Sequence, residues 1–544
     1  MKEKKVLLVA IIIFCIILVI ALGVMLRCKK GTIDATQYGL VANDISAATE
    51  NTKKMNKLIS SAGNNSEIVF TEGDYYFAGD YSRCIRLHNK KNLTIKGENT
   101  CFINTTFSPY EKSVLKYNFS NIFSIENSEN ITISGINLDY DAVTNVCGEV
   151  VKTEGQNIII KPFENFTNIE LDGVFVTRIN TFSKDGTPID EMWFDETVGE
   201  TLKTTENGLL KVKGSAKKGE YVSVVFSSGT YACPTIFVMD TKGLAINNVN
   251  VYSCPSAVVY APGGNSDFSF DNFNVQPKTE QNLFASNSDC IHIKSLGGNL
   301  TVKNCNFKGI GDDALNVHCI AAKVAKVKKD KNSVTLTLAR EQGELPNSWL
   351  KSGDVLEFFD RSLKIIGTAK VKSVRGGVIT FDELPEKINV GYFVCNASQL
   401  PSVLVENCTV ESGRARGMLI QTPNATIKNC TFKDLGLAGL LVAPDIENWF
   451  ELRPVFNMLV EGNTFINCNT RQPNSAFGAI SILTNHDSVL NKTVGYIHKD
   501  ITITGNEFKN CKAKIITAYS VDGIKIKDNL YVDGDIVLQK CIEK

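Results

Sequence analysis

Two acidic segments hold the residue types that could do chemistry: NSDCIHIK at 287–294 and GDDALNVH at 311–318. Aligning Ile291 with Leu315 and Ile293 with Val317 gives a shift of 24 residues, which also sets Asp289 beside Asp313, His292 beside Asn316 and Lys294 beside His318. If Leu315 and Val317 point inward, strand alternation turns Asp312, Asn316 and His318 outward and leaves Asp313 in the inward phase. A bend at Gly311, and at Asn287 or Ser288 ahead of Asp289, is then needed to turn these carboxylates toward solvent. Three acidic groups would crowd on one exposed ridge. Crowded carboxylates cannot all ionise easily, so at least one pKa rises, and one residue type can supply both a general acid and a general base. That is chemistry suited to hydrolysing glycosidic bonds. The inert reading has Asp289 and Asp313 merely capping turns, and a calcium-binding ridge is a third.

The elements that must position these residues come from a repeat. A short apolar pattern recurs with its first position at Leu93, Ile131, Leu244, Phe268, Leu300, Val403, Ala425, Met458, Ile501 and Ile524, and several steps are 22–24 residues. Period-two alternation with Asn or Gly punctuation is strand-and-bend chemistry, and a unit this small cannot bury its inner face alone. Stacked units can, which predicts an all-β chain built as a right-handed parallel β-helix. The position five residues further on runs Ile136, Val249, Phe273, Cys305, Cys408, Cys430, Asn463, Asn506 and Asn529, a stack of like on like. These cysteines therefore read as small core residues, and the asparagines as an internal hydrogen-bonded ladder. The two longest gaps are expected to hold small β-rich, barrel-like insertions at 143–231 and 320–397. Residues 46–62 have helical spacing and are expected to cap the open end against edge pairing.

Residues 6–26 are continuously apolar or small, enough to cross a hydrocarbon core of about 30 Å, and are expected to form an uncleaved signal anchor. The chain then divides into an anchor segment 1–31, a capped first solenoid part 32–142, an insertion 143–231, central coils 232–319 carrying the acidic segments, a second insertion 320–397 and final coils 398–544. The expected location is the cell membrane, single-pass, with the large part outside, or secreted if the segment is cleaved. The 58 basic and 58 acidic residues balance, which argues against a nucleic-acid partner.

With these residues in view, the sequence resembles two β-helical glycosidase families. An SD-type segment followed one coil later by GDD is similar to the polygalacturonase family, glycoside hydrolase family 28. The closer resemblance is to glycoside hydrolase family 110, exo-acting α-1,3-galactosidases. It rests on DDALNVH, NLDYDAV (137–143), GRARGMLIQT (413–422) and LLVAPDIENWFE (440–451), and spans roughly residues 34–530. It implies release of terminal α-1,3-linked galactose from a glycan with inversion and no cofactor or metal, Asp312 acting as general acid while Asp289 and Asp313 hold and deprotonate water. His318, Arg414 and Arg416 can donate to sugar hydroxyls, Glu451 can accept, and Trp449 offers an apolar face. The chain departs from the family pattern at Leu452 and Arg453, which replace a small-residue turn, and lacks an arginine in residues 276–287 ahead of Asp289. A pectin hydrolase and a non-catalytic, carbohydrate-binding surface solenoid are the competing readings.

Overall fold

The computed structural model describes residues 29–79, 83–105, 120–167, 169–194, 200–226, 234–338, 349–446, 449–484, 495–511 and 514–544. The expected membrane span at 6–26 lies outside the described residues, and no described helix is long and apolar enough to cross a membrane.

The repeat stacks as its spacing predicts. Leu93 pairs with Ile131, Ile131 with Leu244, Leu244 with Phe268 and Phe268 with Leu300, all in parallel register. The series continues through Val403, Ala425, Met458, Ile501 and Ile524. The chain is a parallel β-helix whose inner column is sealed by residues such as Ile95, Ile133, Ile246, Phe270 and Val302. Four residues after the start of most units the backbone turns left-handed: Gly135, Asn248, Asn272, Asn304, Asn407, Asn429, Gly462, Gly505 and Asp528 have φ between 51° and 68°. Only glycine and short polar side chains adopt that conformation at low cost, which is why Asn and Gly punctuate the repeat.

Inside the next bend Cys305, Cys408 and Cys430 are buried and form no disulfide. Below them the asparagine ladder forms: the Asn463 backbone N–H donates to Asn506 Oδ1 (2.9 Å), and the Asn506 N–H to Asn529 Oδ1 (2.9 Å). Helix Ala48–Ser61 covers the first coils with Met55, Leu58 and Ile59. Its Asn51 donates to the Val41 carbonyl and accepts the Val41 N–H, and Asn56 donates to the Cys84 carbonyl and accepts the Arg86 N–H, so backbone groups beside the helix are satisfied at the cap.

The two gaps hold different structures. Strands between Ala322–Lys328 and Phe393–Asn396 close a six-stranded barrel around Val324, Leu336, Trp349, Phe358, Val371 and Phe381. The first gap is not barrel-like, contrary to expectation. It holds a seven-stranded sheet running from strand Pro188–Trp193 to Lys203–Thr204. Its apolar face, including Val146, Ile160, Val212 and Val224, is covered by Phe166, Leu171 and Val174 and packs against Leu283 of the solenoid. Covering by connecting segments removes the need for closure.

Candidate active site

Strands Ile291–Lys294 and Leu315–Ile320 pair with Ile291 on Leu315, His292 on Asn316 and Lys294 on His318, the register set by the shift of 24. The turn ahead of each strand carries the carboxylates. The Asp313 N–H donates to Asp289 Oδ1 (2.8 Å), so the two acids are stacked across adjacent coils. Gly311 makes the approach possible: a Cβ there would lie 2.4 Å from the Asn287 carbonyl carbon. No left-handed backbone is involved; the glycine is needed for clearance.

The expected exposed ridge is corrected. Asp289 and Asp313 are 1% and 0% exposed, and only Asp312, at 29%, reaches solvent. Neighbouring coils and the sheet insertion close over the turn. Asp289 Oδ2 pairs with His292 Nδ1, and the His292 ring meets those of His318 and Tyr260 edge-on at 5.1 and 5.6 Å. Asp313 Oδ1 accepts Arg416 Nε (2.6 Å), while Asp313 Oδ2 is buried without a hydrogen-bond partner. Asp312 Oδ1 accepts Arg414 Nη2 (2.8 Å) and lies 3.8 Å from Arg416 Nη2.

Both arginines follow from the repeat. The step of 103 that stacks Val403 on Leu300 also stacks Arg414 on Gly311 and Arg416 on Asp313. Arg414 Nε donates to the Gly311 carbonyl, clamping the turn that holds Asp312. Glu451 arrives differently. Strand Glu451–Leu452 pairs antiparallel with the end of Leu315–Ile320, putting Glu451 Oε1 3.6 Å from His318 Nδ1 and Glu451 Oε2 3.3 Å from Gln421 Nε2. Arg453, one of the two departures from the family pattern, is buried and ion-paired to Glu357 of the barrel (2.9 Å). It thus anchors this strap. Trp449, two residues before Glu451, is 65% exposed.

Burial raises two of the acids. Burial drives the Asp313 carboxyl well above the usual range, with Asp312 and Asp289 adding repulsion and Arg416 opposing. Burial likewise pushes Glu451 up to about 8 against the pull of Arg416. Burial holds both His292 and His318 well below the ordinary imidazole value, so they are neutral hydrogen-bonding groups. Oxygens of Asp289, Asp312 and Asp313 lie within 4.8 Å of one another, as do donor atoms of His292, His318 and Glu451. Either set has the spacing a cation needs, but in the first Arg414 and Arg416 already supply the compensating charge.

Sequence reasoning missed the contribution of the sheet insertion. Glu191 bridges Arg414 (2.7 Å) and Arg471 (2.5 Å), and Arg178 donates to the Asn287 carbonyl (3.0 Å) directly behind Asp289. Neither carries a periodic signal, because the insertion lies outside the repeat.

A parallel β-helix with stacked aspartates on one face, bracketed by arginines and closed by a third acid, is an arrangement able to place a proton donor and an activated water on either side of a sugar linkage. The family described as a right-handed β-helix region matches residues 392–541. The chain is 24% identical over 486 residues to alpha-1,3-galactosidase B of Akkermansia muciniphila, covering 83% of this chain and 58% of that one. It is 25% identical over 584 residues to alpha-1,3-galactosidase B of Bacteroides fragilis, covering 96% and 95%. It is also 27% identical over 307 residues to alpha-1,3-galactosidase A of Shewanella woodyi, covering 55% and 49%. The chain thus spans only about half of the Akkermansia and Shewanella relatives. The resemblance to the α-1,3-galactosidases holds over most of the chain.

Proposed function

We propose that the protein is a glycosidase that removes terminal α-1,3-linked galactose from glycans, inverting the anomeric carbon. The observation that carries this reading is the stacked pair Asp289 and Asp313 beside accessible Asp312, in a chain similar throughout to proteins named alpha-1,3-galactosidase. Asp312 is the one acid of the three that a glycosidic oxygen can reach, which suits proton donation to the leaving group. Asp289 and Asp313, buried behind it, would orient and deprotonate water. His318, Gln421 and Glu451 form a polar wall suited to galactose hydroxyls. The pectin reading loses ground because Arg414 and Arg416 are already paired with Glu191, Asp312 and Asp313 and are not free for uronate carboxylates.

The test is hydrolysis of Gal-α-1,3-Gal, with Gal-α-1,4-Gal and polygalacturonate as comparators and proton NMR following the first anomer released. Selective release of β-galactose supports the linkage and the inversion. First release of α-galactose would overturn inversion. Inertness toward Gal-α-1,3-Gal and the branched blood-group B trisaccharide would overturn the activity and favour the binding solenoid. We further propose that residues 6–26 anchor the chain in the cell membrane with the solenoid outside.

A further inference from the structure

Two arginines meet at Asp312. Arg416, which bonds Asp313, comes within 3.8 Å of Asp312, while Arg414 bonds Asp312 (2.8 Å) and Glu191 (2.7 Å) and holds its guanidinium carbon 5.5 Å from the centre of the Trp193 ring. Arg178, buried behind the same indole, approaches its centre to 4.7 Å. Trp193 nonetheless remains 49% exposed, so much of the ring is open to solvent next to the proton donor. An indole with two guanidiniums against it is held in place by cation–π attraction and cannot swing away at low cost.

The hairpin carrying it is also fixed. Strand Arg178–Phe182 pairs with Pro188–Trp193, setting Arg178 directly opposite Trp193. The hairpin rests on solenoid coils through Thr470 Oγ1 to the Pro188 carbonyl (2.5 Å) and Asn467 Nδ2 to Thr187 Oγ1 (3.4 Å). A general acid stands where the two sugars of the substrate meet, since it protonates the oxygen that leaves with the acceptor. In an inverting hydrolysis the water attacks the galactose, so the aspartate pair that would activate it, held by Arg416, belongs with the galactose, and Trp193 stands instead with the other arginine, Arg414.

We propose that Trp193 is the platform on which the departing neutral sugar packs, and that the sheet insertion therefore sets acceptor preference. This rests on the galactosidase reading. The experiment compares kcat/KM for Gal-α-1,3-Gal with that for α-galactosyl fluoride, which has no acceptor ring, in wild type, Trp193→Ala and Trp193→Phe. The ratio cancels any loss of folded enzyme. It is expected to fall about tenfold in the alanine variant and to stay within about twofold in the phenylalanine variant, which keeps an aromatic face. An unchanged ratio in Trp193→Ala overturns the acceptor platform while leaving the galactosidase reading intact. Wild type inert toward both substrates overturns that reading and this inference together.

Discussion

Asp312 and Asp313 are adjacent in the chain yet sit in opposite environments, one open to solvent and paired with Arg414, the other sealed with an oxygen lacking any hydrogen bond. Both lie in the turn ahead of strand Leu315–Ile320, where Asp313 is enclosed by Asp289 and Arg416 from the coils on either side while Asp312 is left toward the cleft. If Asp312 donates the proton, Asp312→Asn should lower turnover of Gal-α-1,3-Gal by about 10²–10⁴ while α-galactosyl fluoride, whose leaving group needs no proton, is hydrolysed far better by comparison. Equal losses on both substrates would remove Asp312 from that role. Glu451 gives a pH prediction. Its carboxyl is raised from 4.5 to about 8 in the folded protein, so between those values the folded state holds a proton that the unfolded state has lost. Stability from this group is present below the lower value and is lost as pH rises through the upper one. Glu451→Gln should therefore flatten the decline in Tm between pH 5 and pH 8 in a thermal scan, and a parallel decline in both proteins would refute it.

The turns position the site more than the strands do. Gly311 lets one turn settle against Asn287, and the next coil's turn lays Arg414 and Arg416 over it. Gly311→Ala should destabilise the protein by about 1–3 kcal/mol through overpacking against backbone that cannot move aside. It should also impair activity, since Asp312 and Asp313 follow directly. A urea midpoint equal to that of wild type would show that the turn has slack the geometry does not reveal. The repeat makes the pairing of the aspartates legible through the shift of 24, whereas the stacking of Arg414 and Arg416 on that turn, although it keeps the step of 103 between Leu300 and Val403, is seen only in the structure. Glu451 has no periodic signal at all, because it comes in on an antiparallel strap outside the coil register.

For the whole molecule, the anchor proposal has a direct check: full-length protein is expected in the membrane pellet, and a fragment beginning near residue 31 in the supernatant. Full-length protein in the supernatant would count against it. The insertions show where sequence reading stopped. Their existence follows from gaps too long for a coil, but one closes as a barrel and buttresses the Glu451 strap through Arg453 and Glu357, while the other lays Glu191, Arg178 and Trp193 against the cleft. The amino-acid sequence by itself determined the coil, its register and the stacking of Asp289 on Asp313, because those follow from a local apolar period repeated many times. Tertiary structure alone decided that the carboxylates are buried rather than exposed on a ridge. It also decided which residues from outside the repeat complete the site. Burial depends on what is laid over a turn from elsewhere in the chain, and a local period holds no information about that.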